Sequence, residues 1–147
     1  MPVKTAASFR PLFAVAAFLF ATLAFAQTAS LKSDTTGLAP DGGTVALTAT
    51  VSYDAQPGAI GWSIALPADW TLVSVAGANV PEIAPDPGTG GVLEFAYTNV
   101  PAGRAEFSLV VRYPAGTTAA KAAPTVLVRS AGKLTTLTPA AVEFGPK

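Results

Sequence analysis

Nine carboxylates are the strongest proton-transfer groups in this sequence, because its 147 residues include neither histidine nor cysteine. That composition excludes a Ser-His-Asp triad, a thiolate nucleophile, an imidazole shuttle, a disulfide and the usual structural zinc site. What acid–base chemistry remains needs two carboxyl groups on one surface, as glycoside cleavage does. Glu94 and Glu106 are the pair whose spacing allows it. If Val92 to Tyr97 and Ala105 to Tyr113 form a hairpin through Val100-Pro101-Ala102-Gly103 with Phe95 opposite Phe107, both carboxylates share its outer face. As diagonal neighbours they would be roughly 7 to 8 Å apart at the backbone. Inverting glycosidases hold theirs roughly 6.5 to 9.5 Å apart. The same alternation of Glu, Ser and Arg also describes an ordinary solvated sheet face with Arg112 as countercharge, and that plainer reading carries more weight.

The other candidates divide in the same way. Asp34, Asp41 and Asp86 fall in loops near glycines, where oxygen ligands could gather around calcium. None follows the Asp-x-Asp-x-Asp-Gly spacing of a dedicated calcium loop, and Asp in a turn more simply bonds its own backbone, so no metal or cofactor is expected. Trp62, Trp70, Tyr53, Tyr97 and Tyr113 could stack on the apolar face of a sugar ring. Trp62 is in register with Ile60 and Ile64, and Tyr97 with Phe95, so these rings read as core. Trp70 follows a turn and opens a strand, which suits either a plug at the end of the core or a rim position, and it is retained as a candidate binding residue.

These residues are carried by short alternating segments. Val45, Leu47, Ala49, Val51 and Tyr53 take every second position from Thr44 to Tyr53, and Ile60, Trp62, Ile64 and Leu66 repeat the period after Pro57-Gly58. Further strands are expected at Trp70 to Ala76, Val92 to Tyr97, Ala105 to Tyr113, Pro124 to Ser130, Lys133 to Thr138 and Ala141 to Phe144, separated by Gly- and Pro-rich turns. No long stretch has helical spacing and no internal repeat is visible. The expected class is all-β, a two-sheet antiparallel β-sandwich of immunoglobulin-like or cohesin-like jelly-roll type.

Ahead of this domain lies an address. Lys4 and Arg10 precede fifteen residues, Pro11 to Phe25, that are apolar or small apart from Thr22, and the run closes on Ala24-Phe25-Ala26 before Gln27. A positive start, a short apolar helix and small residues at −3 and −1 are what an export signal requires, and the run is shorter than the roughly twenty residues that span a bilayer. The expected organisation is a signal peptide at 1–26, a flexible lead-in at 27–43 ending in Pro40-Asp41-Gly42-Gly43, and a sandwich at 44–147. Loss of Lys4 and Arg10 leaves seven basic groups against nine acidic ones, a charge of about −2, so nucleic acid is not an expected partner.

Gly58-Ala59-Ile60-Gly61-Trp62-Ser63-Ile64-Ala65-Leu66, followed by Trp70-Thr71-Leu72-Val73-Ser74-Val75, resembles the central segment of cohesin-type domains of bacterial extracellular proteins. The strand from Ala105 to Arg112 and the Gly-containing loop after it are similar in layout. The resemblance implies a nine-stranded sandwich that binds a partner through one sheet face and does no chemistry. On that basis the expected function is secreted, periplasmic or cell-surface binding of an extracellular protein, with a carbohydrate-binding module as the alternative and a small glycosidase as a more remote one. No membrane insertion of the mature chain is expected. Glu106, Ser108, Val110 and Arg112, with Trp70, form the expected binding patch.

Overall fold

Alternating apolar and short polar side chains favour extended chain with one hidden face. The computed structural model, which describes residues 26–147, has ten such strands. They are β1 (Gln27–Ser33), β2 (Gly37–Leu38), β3 (Gly43–Tyr53), β4 (Ala59–Ala65), β5 (Thr71–Ala76), β6 (Val92–Tyr97), β7 (Arg104–Tyr113), β8 (Ala120–Ser130), β9 (Lys133–Leu137) and β10 (Val142–Pro146). One sheet has the order β1-β3-β7-β5; the other runs β2-β10-β8-β4-β6, with β9 also paired to β8. Neighbouring strands are antiparallel except for the two-residue pairing of β2 with β10. The fold is therefore the all-β, two-sheet sandwich expected from the sequence.

The core lies between the layers. From β3, Val45, Leu47, Ala49, Val51 and Tyr53 point inward, and from β7, Ala105, Phe107, Leu109, Val111 and Tyr113 do the same. They meet Ile60, Trp62 and Ile64 of β4, Leu93, Phe95 and Tyr97 of β6, and Val126 and Val128 of β8. Phe107 is the central ring. Its centroid is 4.8 Å from that of Phe95, and it meets Trp62 at 6.1 Å and Tyr97 at 6.2 Å in edge-on geometries. Trp70 closes one end, 5.4 Å from Tyr113 and 5.1 Å from Phe144.

Two sequence expectations are corrected. Residues 27–43 are not a flexible lead-in: β1 lies along β3 with Leu31 opposite Ala49, and Leu31 and Leu38 are both buried. An edge strand needs only one or two apolar residues on its inner side, so its Thr, Ser and Asp content disguised it. The export segment, with Ala24 of the expected cleavage site, lies outside the described residues; Ala26 and Gln27 lie within them.

The second correction concerns β6 and β7, which do not form a hairpin. β6 pairs with β4, placing Phe95 opposite Trp62, whereas β7 lies between β3 and β5 in the other sheet. The connection over residues 98–103 crosses the end of the sandwich and is fastened there. Gln56 Nε2 donates to the Val100 carbonyl at 2.7 Å, the Tyr53 hydroxyl donates to the Pro101 carbonyl, and Val100 itself is buried. Phe95 and Phe107 do meet, but across the core with their rings tilted at 45°, rather than along a ladder.

A true hairpin joins β8 to β9. Ala131 (φ 49°) and Gly132 (φ 75°) are both left-handed, as a two-residue turn between antiparallel strands requires. Left-handed backbone costs an alanine about 1 kcal/mol and an asparagine less. Ala131→Asn is therefore expected to stabilise the protein by about 0.5–1 kcal/mol, read as a raised Tm in thermal denaturation; an unchanged or lowered Tm would contradict the turn assignment.

Candidate functional site

Because side chains alternate along a strand, the residues between the core positions of β7 all emerge on the outer face of the four-stranded sheet. They are Arg104, Glu106, Ser108, Val110 and Arg112, so four of the five expected binding residues are brought together. The register adds their neighbours. On β3, Thr50 lies beside Glu106, Thr48 beside Ser108, Ala46 beside Val110 and Thr44 beside Arg112. On β1, Ser30 and Lys32 extend the Thr50 and Thr48 rows, while on β5 Ser74 and Ala76 flank Val110 and Ser108. The result is a shallow face of short side chains, largely hydroxyl-bearing, bordered by Lys32, Arg104 and Arg112. Glu106 accepts a hydrogen bond from Thr50 Oγ1 at 3.1 Å, which ties its carboxylate to the neighbouring strand.

Trp70 does not belong to this face. It is 1% exposed, and its ring fills the end of the core because the turn at Pro67–Asp69 directs the chain inward before β5 begins. The same holds for every other described aromatic ring: Tyr53, Trp62, Phe95, Tyr97, Phe107, Tyr113 and Phe144 are all buried. Among the described residues no ring is available to stack on a sugar.

The carboxylate pair is likewise dismantled. Glu94 is on β6 and Glu106 on β7, in different sheets, and each points outward from its own layer. Sheets stack about 10 Å apart, and two groups pointing away from each other across that thickness cannot share a substrate at roughly 6.5 to 9.5 Å. Asp34 spends its carboxylate on the Ala46 N–H at 3.0 Å, and no group of three His, Cys, Asp or Glu residues gathers among the described residues. Ser130 and Lys133, at Ser-x-x-Lys spacing, are simply cross-strand neighbours at the tight β8–β9 turn, with the Lys133 side chain exposed.

The outer face of the second sheet differs in character. Ala59 and Gly61 of β4 and Ala96 of β6 floor a shallow groove of about 230 Å³, with Leu127, Arg129 and Leu134 along one side and Thr98 along the other. Residue pattern alone does not reveal it, because its floor depends on which strands flank β4.

Titration is perturbed at the crossing end of the sandwich. The Glu82 carboxylate accepts from the Thr98 and Asn99 N–H groups at 3.1 and 3.0 Å. Its own backbone N–H lowers it most, and the bonds from Thr98 and Asn99 add to this, so that together they outweigh the opposing desolvation and hold it below the ordinary carboxylate value. Burial raises the Tyr97 phenol, with the nearby charges adding to the effect, and its hydroxyl donates to the Asn79 carbonyl at 2.6 Å.

No family model matches the chain, and no curated protein is similar to it in sequence. Among solved structures it is similar to the full-length major pilin SpaD from Corynebacterium diphtheriae, with a TM-score of 0.57 and 18% identity over 80% of this chain. The chain spans 35% of that pilin. It is also similar to a non-cellulosomal cohesin from the hyperthermophilic archaeon Archaeoglobus fulgidus, with a TM-score of 0.53 and 12% identity over 82% of this chain and 91% of that one. At these identities the likeness is one of fold, and it bears out the cohesin-like rhythm of β4 and β5.

The sign of the Glu82 effect follows from its lowered pKa. Its contribution to stability is present above the ordinary value of 4.5 and is lost as pH falls through the lower folded value. NMR titration is expected to place the Glu82 midpoint below that of an exposed glutamate, and Glu82→Gln to speed amide exchange at Thr98 and Asn99. An ordinary midpoint with unchanged exchange would contradict the anchoring of this loop.

Proposed function

We propose that the chain is exported, loses residues 1–26, and acts as a non-catalytic β-sandwich that binds another extracellular or cell-surface protein through the outer face of β1-β3-β7-β5. The observation that carries this reading is the gathering of Glu106, Ser108, Val110 and Arg112 on one shallow face with the hydroxyl rows of β1 and β3. Hydrogen-bond donors and acceptors held on a rigid ladder lose little entropy on docking, and Val110 and Ala46 supply an apolar centre within a polar surround. Export is supported by the Lys4/Arg10, apolar and Ala24-Phe25-Ala26 pattern. Cleavage after Ala26 fits the fold, since β1 begins at Gln27 and no strand would be cut.

The sandwich likeness to a cohesin and a pilin is consistent with a binding or structural role, and no helix among the described residues is long and apolar enough to cross a membrane. A protein partner is favoured over a polysaccharide because no described aromatic ring is exposed, and flat sugar recognition relies heavily on such rings.

Immobilised mature protein should retain a partner from a surface extract of the producing cell at micromolar concentration. Arg112→Ala is expected to weaken retention about tenfold, or about 1.4 kcal/mol, and Val110→Asp to abolish it with the fold intact by circular dichroism. No partner at that concentration, or equal retention by both variants, would refute this assignment.

A further inference from the structure

We propose that the outer edge of β9 is a self-association site, where two copies of the chain pair antiparallel and join their second sheets into one. This surface is distinct from the β7 face, so the two assignments stand or fall separately.

A two-residue turn makes its flanking residues, Ser130 and Lys133, a hydrogen-bonded pair, so Val128–Thr135 and Val126–Leu137 are hydrogen-bonded pairs as well. The alternating residues, Leu134 and Thr136, therefore direct their N–H and C=O groups away from β8. Among the described residues nothing pairs with them: β9 has β8 as its one strand neighbour, and no turn or loop hydrogen bond reaches Leu134 or Thr136.

Most other edges are closed. β5 is covered by Thr89 and Gly88, which exchange backbone hydrogen bonds with Leu72 at 2.8 and 2.7 Å. β6 is covered by Ile83, which exchanges two with Ala96. β10 continues the line of β9 along β8 and is covered by β2. β1 is also an edge, but it carries exposed Lys32 within its length, a charge of the kind that resists pairing. β9 carries its lysine only at the turn end, and it has no proline or bulge.

A second copy fits this edge. A two-fold axis through Thr135 places Leu134 opposite Thr136 of the second copy and the reverse, satisfying all four outward donors and all four acceptors' strand positions with one register. Thr135 then faces its own counterpart, a favourable cross-strand pair. On the outer face, Leu127 lies beside Thr136 in the ladder, so the row continues from Leu127 through Thr136 to Leu134 of the second copy. Leu127 and Leu134 are 41% and 54% exposed in the single chain, and this arrangement would cover them. One short strand and two leucines per copy make a small interface, so the dimer should be weak, with a Kd of about 10 µM to 1 mM.

Sedimentation of the purified protein as the cell processes it tests this directly, together with amide hydrogen exchange. The expected result is a concentration-dependent dimer in which the Leu134 and Thr136 amides are protected. Thr136→Pro removes an outward N–H that the chain itself does not use, so it should leave the near-ultraviolet spectrum intact while lowering dimer affinity at least tenfold. Leu134→Lys is the second variant, expected to do the same by charge repulsion without touching the backbone. A wild-type protein that is monomeric up to about 1 mM, with Leu134 and Thr136 exchanging at open-strand rates, would overturn the proposal. So would a dimer equally stable in both variants.

Discussion

Phe107 is the point at which the two sheets are fixed to each other. Its ring, on the middle of β7, is fully buried and packs against Phe95, Trp62 and Tyr97 from β4 and β6 of the facing sheet. Tilted and edge-on ring contacts of this sort contribute beyond simple burial, and truncating a phenylalanine in such a setting costs about 3–5 kcal/mol. The contact also dictates topology. For Phe95 and Phe107 to face one another across the core, the chain must leave one sheet after Tyr97 and enter the other before Arg104. The bonds from Gln56 and Tyr53 to the connecting loop hold that crossing in place.

Function inherits this constraint. With no disulfide to staple it, the domain relies on its aromatic rings for cohesion, and all eight described ones are used inside. The outer surfaces are left with threonine, serine, alanine, valine and scattered charge, with Leu127 and Leu134 exposed on the second sheet. On the β7 face these side chains are held in register by the ladder, which is the feature on which the proposed docking role rests. The separation of Glu94 from Glu106 is a direct outcome of the same crossing, since one strand goes to each sheet.

Much of this was legible in the residue pattern. Period-two alternation located eight of the ten strands and identified Leu47, Trp62, Phe95 and Phe107 as inward, because burial imposes that period whatever the partner strand. It also placed Glu106, Ser108, Val110 and Arg112 on a common outer face. Partner choice was not legible: alternation fixes which side of β6 and β7 is hidden, but a hairpin and a crossing hide the same side. Trp70 was ambiguous for a related reason, since a residue at a turn exit has no periodic neighbours to declare its face. β1 escaped notice because a polar edge strand with one deeply buried leucine resembles a loop in composition.

The interior placement of the rings can be measured with the two native tryptophans. Fluorescence of the folded protein under titration with acrylamide and iodide should show blue-shifted emission and little iodide quenching, with quenching rising sharply only on unfolding in guanidinium. Ready quenching of either Trp62 or Trp70 in the native state, or its protection by an added polysaccharide, would contradict a core that holds every described ring and the proposed ring-free binding surface.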